Sequence, residues 1–362
     1  RENHILKKSL LSVEKSFEED CVREVIATSI DLSPFVNHSI STISMIQDLK
    51  EYLNLEKASN LIIYRCNVSG YQAKDFKQQE KEYLNSISGL SYSKEITPEI
   101  NCLITTSNTV IEELPKDLLS RLKLIIHPNS GYDNFAKHWV QQCQFPIILG
   151  NPIRAQAVAQ YSLSCLFHSL QPPFRSNWDP SRNWSRQLLK EKKILLLGNG
   201  HIGKIIEQAL TALQANLSIY DPLKGKDLLD LEDVDIVINA AALTPDNRNM
   251  INKDFLTKLS KNFILINGAR GKHIVVGDLI EVLNERPKAR AYLDVFQNEP
   301  FDEKIFSHLE NIFLSSHTAG VYQTLDDEIL SFEKTVLTDY LNLSNSQFEV
   351  KYNGLNLKQK LI

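Results

Sequence analysis

The chain has 362 residues, enough for two domains or a little more. Hydrophobic residues make up 43% and charged residues 23%, the balance of an ordinary globular protein that can bury sizeable cores. A formal net charge of -4 without a long basic run argues against a nucleic-acid surface, and no apolar run reaches the roughly 20 residues that span a bilayer. The cysteines, Cys21, Cys66, Cys102, Cys143 and Cys165, are odd in number and form no CxxC pair. They predict reduced thiols and a cytoplasmic setting. A start at Arg1 leaves an upstream targeting segment open.

Residues 1–58 show no strand pattern. "ISMIQDLKEYL" reads as a helix within an extension of unknown role. From Leu61 onward short apolar strands alternate with amphipathic segments. The predicted strands are 61–66, 101–106, 123–128 and 145–150, with helices in "KDFKQQEKEYLNSI" and "DNFAKHWVQQC". A helix is predicted over 157–170. The proline-rich "QPPFRSNWDPSRNW" that follows reads as a crossing between domains. Six further strands are predicted at 193–197, 217–220, 235–239, 263–267, 290–295 and 311–316, and a last helix at 326–341. Such alternation predicts parallel sheets with helices on both faces, the second being a doubly wound dinucleotide-binding domain.

The first strand of that second unit runs into "GNGHIG", which places Gly198, Gly200 and Gly203 in G-x-G-x-x-G spacing. The spacing alone is weak. Here it follows a strand and opens a helix beginning with His201 and Ile202, whose amino end favours a pyrophosphate. The alternative is a glycine turn that merely packs a helix. Asp221 ends the next strand, about 20 residues on, where a carboxylate accepts from both ribose hydroxyls of NAD and repels a 2'-phosphate. Its plainer reading is a turn aspartate before Pro222.

Ligands bind such sheets at the carboxyl ends of strands. Arg270, Glu299 and His317 stand after the last three predicted strands. A guanidinium can hold a carboxylate and polarise a neighbouring carbonyl. An imidazolium can protonate a developing alkoxide, and a carboxylate beside an imidazole favours its charged form. Singly, each residue also reads as a surface cation, a loop acid or a core histidine.

Seven stretches in order, "LKLIIHPNSGYDN", "AVAQYSL", "NWSRQLLKEKKILLLGNGHIG", "LTPDNRNMI", "INGARG", "YLDVFQNEP" and "LENIFLSSHTAG", make the chain resemble the D-isomer-specific 2-hydroxyacid dehydrogenases from about Leu61 to Leu341. The resemblance implies a Rossmann domain at 159–324 inserted into a flavodoxin-like substrate domain at 59–158 and 325–362. It implies that Arg270 binds the substrate carboxylate and carbonyl, and that His317 is the general acid/base with Glu299 as partner. Asp294 would contact the nicotinamide carboxamide beside Ala269, and the backbone amides of Ser130 and Gly131 would meet the substrate carboxylate. Departures from the family pattern are Ser316 for a proline, Ala240 and Ala242 before "LT", Val275 for an aspartate and Gln160 for a glutamate. Thr106 replaces the arginine usual in phosphoglycerate enzymes, and no regulatory domain follows residue 362. Both lean away from a phosphorylated substrate, although Arg154 or Lys137 could supply a compensating charge.

The expected function is hydride transfer between NAD(H) and a small D-2-hydroxy acid/2-keto acid pair, by a cytoplasmic homodimer without a metal. The alternative is a non-catalytic NAD-sensing scaffold. Formate oxidation is disfavoured, because related formate enzymes usually carry an amide where this chain has Glu299.

Overall fold

A computed structural model describes residues 60–170 and 188–361. The extension at 1–58, with its predicted helix and Cys21, and the crossing segment at 171–184 lie outside the described residues.

The first sheet is built from β1 (Leu61–Arg65), α1 (Phe76–Leu84), β2 (Leu90–Ser93), β3 (Cys102–Ile104), α2 (Lys116–Arg121), β4 (Leu124–His127), α3 (Lys137–Gln142) and β5 (Ile147–Leu149). Its order is β2-β1-β3-β4-β5, all parallel. β3, β4 and β5 are buried on both faces, which is why they read as unbroken apolar runs. β2 is an edge strand of four half-exposed residues and carries little apolar signal; sequence reading missed it.

α4 (Asn151–Leu170) leaves β5 and starts six residues earlier than the apolar period predicts. Pro152 explains the difference: in a first turn its missing N–H has no helical partner to lose. At 20 residues the helix is about 30 Å long. Its second half buries Ala159 and Leu166 against the second sheet.

That sheet contains β6 (Lys193–Leu197), α5 (His201–Ala212), β7 (Asn216–Tyr220), β8 (Ile236–Asn239), α6 (Lys253–Lys258), β9 (Ile264–Asn267), α7 (Val276–Glu285), β10 (Arg290–Leu293) and β11 (Ile312–Leu314). The order is β11-β10-β9-β8-β6-β7, again all parallel. All six predicted strands are present: β6 keeps its predicted bounds, β7 gains one residue, and β8 to β11 are shorter by one to three residues. The switch point falls between β6 and β8, where the chain order reverses and a dinucleotide is expected. Register aligns Asn239 with Asn267, Asn267 with Leu293, and Leu293 with Leu314. The residues that follow these strands therefore share one edge.

α8 (Leu325–Asn342) returns to the first sheet and packs Val336, Leu337 and Tyr340 against β1 and β3. α9 (Asn345–Tyr352) and α10 (Leu357–Lys360) follow, and the Leu149 N–H donates to the Leu355 carbonyl beside β5. Two α/β units with parallel sheets are thus joined by α4 and α8. Cys66, Cys102, Cys143 and Cys165 are all free thiols. Among the described residues no helix is long and apolar enough to cross a membrane.

Candidate active site

The glycine loop follows from steric necessity. Gly198 has φ +86°, and a Cβ there would stand 2.5 Å from the Ala241 backbone. A Cβ on Gly203 would stand 2.2 Å from the Gly198 carbonyl, so only glycine lets α5 approach β6 this closely. At Gly200 a Cβ would meet nothing within 4 Å, which leaves open space at the amino end of α5, beside His201 and Ile202. The Asp221 Oδ2 accepts from the Asn199 N–H at 2.7 Å, anchoring the loop. Lys224 bonds the Asn199 carbonyl, and Lys226 pairs with Glu207 at 3.5 Å. An open cradle, a helix amino end and an acid at the next strand end fit a dinucleotide.

After β9, the Asn267 side chain shapes the turn that carries Arg270. It accepts from the Ala269 N–H at 3.2 Å and donates to the Arg270 carbonyl at 3.1 Å. The Arg270 side chain then reaches the first sheet. Its Nε donates to Asp133 Oδ1 at 2.9 Å, and its Nη2 lies against Gly131, where a Cβ would come within 1.2 Å of it. The strand-end edges of the two sheets therefore face each other across a cleft. Burial alone would lift the Asp133 carboxyl, but the Arg270 charge and hydrogen bond outweigh it and hold that carboxyl below its usual range.

The opposing wall is the loop after β4. The Ser130 carbonyl accepts from Asn151 Nδ2 at 3.2 Å, while the buried Ser130 hydroxyl has no hydrogen-bond partner. His127 is fully buried. Its Nε2 donates to the Gly131 carbonyl at 2.9 Å, and its Nδ1 accepts from the Thr105 hydroxyl at 2.8 Å. Since a carbonyl can only accept, these partners set the tautomer. Burial lowers the His127 pKa to about 4, with the nearby Arg270 and Arg154 charges adding to the effect.

His317 sits beyond β11 at φ +54°, a left-handed conformation that a non-glycine residue adopts only when its surroundings impose it. Asp294 imposes it. The buried Asp294 carboxylate accepts from the Ser315 hydroxyl at 2.6 Å, the Thr318 N–H at 2.8 Å and the Ala319 N–H at 2.9 Å. Its carbonyl accepts from the His317 N–H at 2.7 Å. Nδ1 of His317 donates to Glu299 Oε2 at 2.7 Å, leaving Nε2 without a partner among the described residues. Glu299 Oε1 accepts from the Phe296 N–H at 2.9 Å. Partial burial lifts the Glu299 carboxyl, yet these two hydrogen bonds and the Arg270 charge outweigh it and hold it below its ordinary value.

Asp133, His127 and Asn267 have no role from motif reading, and Arg154 enters there only as a possible compensating charge. Asp133 and His127 lie inside a matching stretch but carry no signal of their own. Burial and bonding distinguish them, and neither is visible in sequence.

Residues 168–319 match the family model described as D-isomer specific 2-hydroxyacid dehydrogenase, NAD binding domain. The chain is 26% identical over 292 residues to an erythronate-4-phosphate dehydrogenase of Blochmanniella floridana, covering 76% of this chain and 73% of that one. It is 25% identical to a 2-ketogluconate reductase of Gluconobacter oxydans over 67% of this chain and 83% of the relative. Its fold matches that of a D-lactate dehydrogenase from Aquifex aeolicus, solved with NAD and lactic acid, at a TM-score of 0.62 and 16% identity, over 82% and 99% of the two chains. The glycine loop, the arginine turn and the glutamate–histidine pair all lie within the matched residues, so the stretch 168–319 belongs to the NAD-binding domain of the D-isomer-specific 2-hydroxyacid dehydrogenase family.

Proposed function

We propose that the protein is an NAD-dependent reductase of small 2-keto acids, acting reversibly on the corresponding D-2-hydroxy acids. The observation that carries this reading is the convergence of Arg270 and the His317–Glu299 pair on one cleft, next to the dinucleotide cradle. The bound cofactor would supply the hydride that reaches the substrate C2. The Arg270 guanidinium and the amides of Ser130 and Gly131 bind the substrate carboxylate and polarise the keto oxygen. His317 donates a proton from Nε2 to the forming alkoxide, while Glu299 fixes the ring through Nδ1. Closure of the cleft would exclude water from the reacting atoms. A pure scaffold would have no use for a histidine held at φ +54° by a buried aspartate. We further expect a cytoplasmic homodimer, which light scattering would test: a monomer mass at micromolar concentration removes it.

The direct test is NADH oxidation with glyoxylate, hydroxypyruvate, pyruvate, 2-ketoisocaproate and 3-phosphohydroxypyruvate. Turnover of at least one supports the reading; none with either nicotinamide cofactor sinks it. Asp221 predicts a strong preference for NADH over NADPH, because a 2'-phosphate would meet its carboxylate. Asp221→Ala should narrow the gap in kcat/KM mainly by improving NADPH use. Comparable values in the wild type would show that Lys224 and Lys226 override the acid.

A further inference from the structure

Arg154 lies in the first turn of α4, on the same face as Val158, and is only 9% exposed. Its stem runs beside Gly320, three residues after His317; a Cβ on that glycine would stand 3.0 Å from Arg154 Cδ. Its guanidinium bridges the loop after β4 and the loop after β1. Nη1 donates to the Pro128 carbonyl and Nη2 to the Tyr71 hydroxyl, in the loop after β1. A guanidinium carries five N–H donors. Two are used here, so three are left (five less two).

Among the described residues no carboxylate pairs with it. Among the described residues Arg65 is the other buried arginine, and it is bonded to both Glu80 and Glu333. Buried charges are ordinarily paired, since desolvation without a counter-charge is expensive. A cation that is buried, unneutralised and short of acceptors is a site built for an anion that arrives with a ligand. A second observation points to the same place. The Ser130 hydroxyl, two residues along from the carbonyl that Arg154 holds, is buried without a partner among the described residues. The Tyr71 oxygen accepts from Arg154, so its own O–H remains to donate.

The other positions considered for such a charge do not provide it. Thr106 is spent on internal bonding: its hydroxyl and that of Thr109 both donate to Asn67 Oδ1, at 2.7 and 2.8 Å. Lys137 is exposed at the start of α3.

Deepening the proposed keto-acid reduction, and resting on it, we infer that Arg154, Tyr71 and the Ser130 hydroxyl form a second anion subsite. It selects 2-keto acids that bear a carboxylate or phosphate at the end remote from the one Arg270 holds. Arg270 would grip the C1 carboxylate from the second sheet, and Arg154 the distal group from α4. A dianionic substrate would thus bridge the cleft.

The experiment measures kcat/KM for matched pairs with NADH. One pair is 2-oxoglutarate and 2-oxobutyrate; the other is 3-phosphohydroxypyruvate and hydroxypyruvate. The wild type should favour the dianionic member of at least one pair by tenfold or more, and the pair that responds tells carboxylate from phosphate. Arg154→Gln should lower that preference about ten- to a hundred-fold, mostly through KM, as expected for loss of charge-assisted hydrogen bonds. Arg154→Lys, which keeps charge without the planar fork, should fall between. Tyr71→Phe should reduce the preference a few-fold at an exposed position where folding is not at stake. A wild-type preference near one overturns the inference, and so does an Arg154→Gln enzyme that loses both members of each pair equally. Calorimetry of the NADH-loaded protein with inorganic phosphate gives a readout apart from turnover. Binding to the wild type that disappears in Arg154→Gln supports the subsite even if no keto acid in the panel reacts. Equal binding by both overturns it.

Discussion

The two edges that face across the cleft are built from different chemistry. On the second sheet carboxylates and amides hold the loops: Asp294 clasps residues 315–319, Glu299 seats His317, and Asn267 shapes the Arg270 turn. The titratable pair there is accessible, with side-chain exposures of 52% for His317 and 35% for Glu299. On the first sheet the polar groups are sunk below the surface. His127 is fully buried and Arg154 nearly so, each spanning backbone carbonyls and hydroxyls. Proton transfer needs a group that can gain and lose charge near neutrality, and selective binding needs groups that cannot. One edge therefore suits chemistry and the other suits recognition, although both carry a histidine at the end of a parallel strand or just beyond it.

The largest effect should come from removing the histidine of the second edge. His317→Ala should lower kcat by about 10²–10⁴-fold, the usual contribution of a positioned acid–base group. NADH affinity, read by fluorescence titration, should change little, because the glycine loop and Asp221 lie elsewhere on the sheet. A near-normal kcat would erase the distinction between the edges.

The histidine of the first edge should show itself in stability instead. His127 is held at a pKa of about 4 against an ordinary 6.5. The folded state thus refuses a proton that the unfolded chain accepts. The stability this neutral ring provides is intact above pH 6.5 and is lost progressively as pH falls toward 4, by about 3 kcal/mol in all. His127→Gln keeps a donor for Gly131 and an acceptor for Thr105 but does not titrate. Denaturant melts at pH 7 and 4.5 should show a much shallower acid loss in the variant. An identical loss in both proteins would mean that His127 does not govern it.

Asp294 tests whether the second edge depends on a buried charge. Asp294→Asn puts an NH₂ group where N–H donors now converge. The histidine loop should relax, and kcat should drop about ten- to a hundred-fold, the scale of losing charge-assisted hydrogen bonds. Thermal unfolding should shift by far less than a core deletion would cause. Retained kcat would shift the control of His317 to Glu299 alone.

The contrast also explains what could be read from sequence. The second edge was legible because its residues fall immediately after apolar strands and in motifs of fixed order: Gly198, Asp221, Arg270, Glu299 and His317 were all placed that way. On the first edge Ser130, Gly131 and Arg154 enter only through the family resemblance, and His127 does not enter at all. His127 reads as the polar end of "KLIIHP", and nothing in that string reveals its burial. Arg154 falls in the six residues of α4 that apolar periodicity left out, because "NPIRAQ" is too polar to show a helical face. The resemblance implies that Asp294 contacts the nicotinamide carboxamide; its three bonds to residues 315–319 are a further role that depends on strand register, which sequence does not display.

The smallest effect concerns Glu299, and it asks whether the chemical edge stays charged in mild acid. Burial pushes this carboxyl up, but the bonds from His317 and Phe296, with the Arg270 charge, push it further down. A depressed carboxyl keeps its charge as pH falls, so the His317 contact is lost only below the ordinary 4.5. Initial rates of keto-acid reduction after a rapid pH jump should therefore change less than about two-fold between pH 7 and 5 on account of this residue. A carbon-13 titration of labelled glutamate, assigned by difference with Glu299→Gln, would locate the midpoint directly. A midpoint above 4.5 would mean that burial wins over the hydrogen bonds. The pair would then lose its charge in the same pH range in which the His127 edge loses stability, and the separation between the two edges would close.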